Sequence, residues 1–167
     1  MEQILSLSEE LGRQLMNKGW KITTAESCTG GGISSAITEV AGSSVYFDRA
    51  FVTYSNKAKS DMLDIPLLLI DKYGAVSKET VEAMALGAMI KAEANVAISV
   101  SGIAGPGGGT LEKPVGTVWV GIAIQYLLDK KVKSTVYSEK CLFRGDRQKI
   151  RLDSIKYCIN KTLEIIK

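Results

Sequence analysis

The segment NVAISVSG, residues 95–102, constrains the fold more than any other stretch of the chain. It is a short apolar run of the kind found in parallel strands buried on both faces, and it opens directly into a glycine-rich segment. A strand covered on both faces needs helices above and below it, so the rest of the sequence has to supply them. It does. Ile4, Leu7, Leu11 and Leu15 recur at helical spacing over residues 3–18, and Gly19 stops the run. WKITTAE (20–26) reads as a β-rich strand, and Ile33, Ala36, Ile37 and Val40 mark a helix ending at Gly42. The aromatic and β-branched SVYFDRAFVTYS (44–55) predicts a further strand, and NKAKSDML (56–63) a short helix after it. DIPLLLIDKYGAVS, with its proline and glycine, reads as a loop or a broken helix.

Ser77 then caps a helix over KETVEAMALGAMIKAE, with Thr80 where a capping box prefers Glu. After the 95–102 strand, IAGPGGGTLEKPVG holds five glycines and two prolines in fourteen residues and must be a loop. TVWVGIAIQYLL and KVKSTVYSEKCLF around DKK predict an antiparallel hairpin. Leu152, Ile155, Ile159, Leu163 and Ile166 give a final amphipathic helix. This order predicts an α/β fold: a three-layer α/β/α sandwich with a mixed β-sheet, one domain over residues 1–167.

Composition narrows the chemistry. Lys and Arg exceed Asp and Glu by only 21 to 18 and are interspersed with them, which points away from nucleic acid. A small anion is still allowed, since backbone N–H groups and an arginine can hold one phosphate. Cys28, Cys141 and Cys158 are odd in number and widely spaced, as in a reducing cytoplasm. The charges at Glu2, Glu9, Glu10 and Arg13 argue against a signal peptide or membrane span at the N-terminus. The chain has no histidine, which removes Ser-His-Asp and Cys-His mechanisms and imidazole zinc sites. Acid and base work falls to Lys, Tyr, Asp, Glu or Cys, and no carboxylate spacing implies a metal.

Ligands of open α/β sheets bind beyond the carboxyl ends of the strands. Two loops have that placement, AESCTGG and SGIAGPGGG, and both are built from glycines and hydroxyl residues suited to an anion or oxyanion. Ser27, at a strand-to-helix handover, reads first as an N-cap; the sharper reading is a nucleophile, which then needs a base. Lys57 and Lys59 both follow a neighbouring strand, and spacing does not choose between them. Either one serves if burial keeps its amine neutral, whereas a solvated lysine cannot. Tyr54 could position a lysine, and Cys28 is a rival nucleophile without an evident thiolate-stabilising partner. Arg144, Arg147 and Arg151 at the start of the last helix form either a solvated face or a fork for an anion. The apolar PLLLI (66–70) predicts a homo-oligomer, a dimer or larger.

Five segments, TTAESCTGG, AGSSVYFDRAFVTYSNKAK, YGAVSKETVEAMA, SVSGIAGPGGGTLEKPVGTVWVG and FRGDRQKIR, together resemble the CinA C-terminal domain family. Its stand-alone members are the PncC-type nicotinamide mononucleotide (NMN) deamidases. The resemblance implies a cytoplasmic amidohydrolase that converts NMN to nicotinate mononucleotide and ammonia with no cofactor and no metal. It places a catalytic Ser/Lys pair on Ser27 and Lys59, with Tyr54 assisting, and oxyanion donors near Thr29 and Gly30. It places substrate binding on Thr29, Gly30, Gly31, Ser101, Gly102, Ala104, Gly105 and Arg147. A reading of a different class is a regulatory module that binds a pyridine nucleotide without turning it over.

Overall fold

A computed structural model describes residues 2–167. Five strands form one mixed sheet in the order β2-β1-β3-β4-β5: β1 (Ile22–Glu26), β2 (Phe51–Val52), β3 (Val96–Gly102), β4 (Thr117–Leu128) and β5 (Lys131–Leu142). β1 runs parallel to both β2 and β3, while β4 and β5 form the antiparallel hairpin. Six helices cover the sheet: α1 (Glu2–Lys18), α2 (Gly32–Thr38), α3 (Asn56–Leu63), α4 (Leu67–Tyr73), α5 (Lys78–Ala92) and α6 (Arg147–Ile166). The molecule is a three-layer α/β/α sandwich.

The two faces of the sheet differ in side-chain size, and this sets where the helices lie. Val96, Ile98 and Val100 of β3 and Val118, Val120, Ile122 and Ile124 of β4 pack with Leu11, Leu15, Ile33, Ile37, Ile155 and Ile159 of α1, α2 and α6. The alternate residues are small. Ala25, Ala97 and Ala123 meet Val81, Met84, Ala85 and Ala88 of α5 on the other face, with Leu63 and Ile70 beside them. Because these side chains are short, α5 lies close to the sheet. Ser99 Oγ donates to the Val81 carbonyl at 2.6 Å, and a Cβ on Gly121 would stand 2.8 Å from that same oxygen.

Three local expectations change. The strand predicted over 44–55 shrinks to Phe51–Val52. Its first part is a 3-10 turn at Ser43–Val45, from which Tyr46 enters the core against Gly12 and gives its carbonyl to Ile22 N–H. Aromatic residues there fill the core rather than extend an edge strand. The ambiguous 64–77 stretch contains helix α4, started by Pro66, with Ile70 buried and Leu67 and Leu68 exposed. The second helix starts later than its sequence pattern suggests, at Gly32, and Ser27 is not its cap. Among the described residues no helix is long and apolar enough to cross a membrane.

Candidate active site

β1 and β3 deliver two loops to one edge of the sheet. Between them lies a cavity of about 240 Å³ whose lining includes Ser27, Cys28, Tyr54, Asn56, Lys59, Ser101, Gly102, Ala104 and Arg147. Ser27 is the first residue after β1, and its N–H donates to the Val100 carbonyl at 3.0 Å, which ties the start of the turn to β3.

Lys59 arrives from the opposite side of the cavity. Ser55 caps α3 by accepting from Ala58 N–H, so the helix begins immediately beyond Tyr54. In a helix of 3.6 residues per turn, positions two apart lie about 200° apart around the axis. Lys57 therefore points outward, its side chain 79% exposed and paired with Asp61, while Lys59 points inward and is 1% exposed. Its Nζ donates to the Thr53 carbonyl at 2.9 Å and stands 3.2 Å from Ser27 Oγ. Among the described residues no carboxylate pairs with Lys59, and burial pushes its pKa below the usual 10.5. A buried amine with a lowered pKa is what a serine needs in a base, since only the neutral form carries a lone pair.

Cys28 sits beside this pair. Burial pushes its thiol up to about 11, with the nearby Glu26 adding to the rise, so it is protonated at neutral pH and a poor nucleophile. Tyr54 is on the rim, 60% exposed. Its hydroxyl accepts from Arg147 at 3.0 Å and makes no hydrogen bond to Lys59 among the described residues. Arg147, the first residue of α6, also donates to the Gly105 carbonyl at 2.8 Å and so bridges the two sides of the mouth. Its exposed guanidinium is available to an anion entering there.

Thr29, Gly30 and Gly31 form the turn behind Ser27 and do not line the cavity. Gly30 N–H donates to the Ser27 carbonyl, and the Thr29 carbonyl accepts from Arg151 at 2.8 Å. Among the described residues no other residue's backbone accepts from the N–H groups of Cys28 and Thr29.

Two residues have structural roles that the sequence did not indicate. Arg151 braces the turn from α6. Glu26 is wholly buried and supplies the missing cap of α2: its carboxylate accepts from Ile33 N–H at 2.9 Å and Ser34 N–H at 2.8 Å. The anion-friendly loop inferred from AESCTGG thus already holds an anion of its own chain. The signal was present as a carboxylate inside the loop motif, but a cap seven residues upstream lies outside any local capping pattern.

The chain matches a family model described as CinA C-terminal domain over residues 4–166. It is 49% identical over 167 residues to the nicotinamide-nucleotide amidohydrolase PncC of Enterobacter agglomerans, across 99% of this chain and 98% of that one. To the nicotinamide-nucleotide amidohydrolase PncC of Escherichia coli (strain K12) it is 43% identical over 157 residues, across 94% of this chain and 91% of that one. The crystal structure of competence/damage inducible protein CihA from Agrobacterium tumefaciens superposes with a TM-score of 0.91 at 38% identity, across 99% of this chain and 96% of that one.

Proposed function

The chain belongs to the CinA C-terminal domain family, and from that premise we propose that it is an amidohydrolase converting NMN to nicotinate mononucleotide and ammonia through Ser27 and Lys59. The observation that carries this reading is the 3.2 Å approach of Lys59 Nζ to Ser27 Oγ at the base of a cavity, with the amine buried and without a carboxylate partner. Relatives of nearly full-length coverage that carry the name nicotinamide-nucleotide amidohydrolase support the substrate.

In the proposed reaction, neutral Lys59 takes the hydroxyl proton of Ser27 as Oγ attacks the carboxamide carbon. The backbone N–H of Cys28, which lines the cavity beside Ser27, meets the tetrahedral oxyanion, where one such donor is worth about 3 kcal/mol of barrier. The C–N bond breaks, the protonated Lys59 gives its proton to the leaving nitrogen, and ammonia departs from an ester on Ser27. Water, deprotonated by Lys59, attacks that ester, releases the carboxylate product and restores the serine. The cavity encloses the nicotinamide end, being smaller than the roughly 300–1,000 Å³ that surrounds a whole drug-sized ligand. The phosphate then lies at the mouth, where Arg147 and Tyr54 stand.

Ammonia release from NMN by the purified protein tests this. Ser27→Ala is expected to lose at least about 10³-fold in kcat. A fully active Ser27→Ala, combined with inactivation by thiol reagents, would transfer the role to Cys28. Calorimetric NMN binding without ammonia release would make the protein a nucleotide-binding module instead.

A further inference from the structure

Glu26 is the buried acid nearest the reacting pair, and the chemistry above does not use it. It ends β1, immediately before Ser27, with none of its surface exposed. Both oxygens are saturated. One accepts from Thr29 Oγ1 at 2.6 Å and Ile33 N–H at 2.9 Å; the other accepts from Ser34 N–H at 2.8 Å, Ser34 Oγ at 2.9 Å and Thr24 Oγ1 at 3.1 Å. Among the described residues no lysine or arginine pairs with it within 4.0 Å. Five donors and the positive end of α2 take the place of a counter-ion.

The donors come from residues 24 to 34, on both sides of Ser27. The carboxylate therefore closes the nucleophile's turn from the inside, as a hub to which β1, the turn and the first residues of α2 are all attached. The Ser27–Lys59 separation of 3.2 Å is at the outer limit for direct proton transfer, so little displacement is tolerated. A misplacement of about 1 Å costs on the order of 10²-fold in rate.

We propose that Glu26 is a positioning residue for Ser27: its carboxylate fixes the 26–34 turn so that Oγ faces Lys59 and the cavity, without itself touching substrate. It also fills the start of α2, which leaves the substrate's anionic group to the rim arginine, Arg147. The proposal rests on the reading of Ser27 as the nucleophile.

The test compares Glu26→Gln and Glu26→Asp with the parent protein. Gln sets an NH₂ group against donors that include two immovable backbone N–H groups, whereas Asp keeps the charge and withdraws it by one methylene. Glu26→Gln is expected to lower kcat for NMN about 100-fold, with KM within about threefold and the pH midpoint of kcat unmoved. Glu26→Asp is expected to recover part of the loss. If Glu26→Gln does not fold, Thr29→Val and Ser34→Ala each remove one hydroxyl donor and are expected to lower kcat about three- to tenfold at unchanged KM. Wild-type kcat in the folded Gln variant or in both fallback variants overturns the proposal, as does a loss confined to KM. A crystal structure of Glu26→Gln, or of Thr29→Val as fallback, reads the geometry without turnover. Ser27 Oγ unmoved against Lys59 overturns the positioning role even if the parent releases no ammonia, an outcome that by itself removes only the NMN reading.

Discussion

The two glycine-rich loops leave adjacent parallel strands at the same edge of the sheet, yet they are held in opposite ways. The loop after β1 is organised around charge: Ser27, Cys28 and Thr29 are buried, and Glu26 gathers five hydrogen bonds at its centre. The loop after β3 is organised by shape at its base and is exposed from Pro106 to Glu112. Gly105 faces Val115, Gly116 faces the Phe143 carbonyl, and Gly116 N–H donates to Ile103 at 2.8 Å. Glycine thus means two things in one chain. In the first loop it lets the backbone turn around a buried carboxylate; in the second it lets backbone approach backbone at the base, while Gly107 touches nothing. In the proposed reaction the first loop places Ser27, and the start of the second, Ser101, Gly102 and Ala104, walls the cavity.

The sharpest break in this contrast is at Lys59, which reads the first loop directly. Lys59→Met is expected to lower kcat about 10³-fold, the scale of a lost general base. In the parent, kcat should rise with pH through the lowered Lys59 pKa, since only the neutral amine accepts the serine proton. Stability carries the same signature. Between that lowered value and 10.5 the unfolded chain binds the proton that the folded chain has given up, so parent stability rises with pH across this window. The penalty is full below the folded pKa and gone above 10.5. The stability of Lys59→Met relative to the parent should therefore fall as pH rises, as read from urea midpoints at several pH values. A pH-independent difference would mean that burial does not perturb this lysine.

The next largest effect tests the base of the second loop. Gly116 has φ +95°, and a Cβ there would stand 2.0 Å from the Phe143 carbonyl oxygen. Gly116→Ala combines left-handed strain with a backbone collision and should cost about 3 kcal/mol of stability. The urea midpoint is the measurement, and loss of the Phe143 N–H to Gly116 carbonyl bond at 2.9 Å belongs to the same disruption.

Legibility in the sequence follows the same divide. Helical periodicity, the buried β3 run and the hairpin turn are local signals, and all three reappear in the sandwich. The 44–55 segment does not, because Tyr46 and the residues around it look like strand but are used by the core under Gly12, a contact 34 positions away. The two lysines of YSNKAK are equivalent by spacing to either loop; only the rotation of α3 separates them, and that depends on the Ser55 cap. Glu26 stands in plain view within AESCTGG, but its function exists only once β1, the turn and α2 converge on it. Residues defined by one element were readable, and residues defined by the meeting of several were not.

Arg147 ties the second loop to Tyr54 across the mouth and should separate binding from chemistry. It holds the Gly105 carbonyl and the Tyr54 hydroxyl, and it contacts neither Ser27 nor Lys59. Arg147→Ala is expected to raise KM for NMN about tenfold, the value of one lost charged hydrogen bond, with kcat within about threefold. Added salt should raise the parent's KM more than the variant's, because an exposed cation at the rim is screened. An equal loss in kcat would place Arg147 with the first loop's machinery instead.

The smallest effect is the one that isolates the tip of the second loop. Gly107 has nothing within 4 Å of the position a Cβ would take, is exposed, and lies outside the left-handed φ range. Its neighbours on either side do not share that freedom: Gly105 and Gly108 have φ of 78° and 86°. If the second loop is held only by shape at its base, Gly107→Ala should change stability by less than about 0.5 kcal/mol and leave kcat unaltered. A slight gain is even expected, since Ala restricts the unfolded chain more than Gly does. A loss of kcat there, without loss of stability, would mean that the tip moves onto the substrate during turnover. The contrast between the loops would then be one of timing rather than of anchoring.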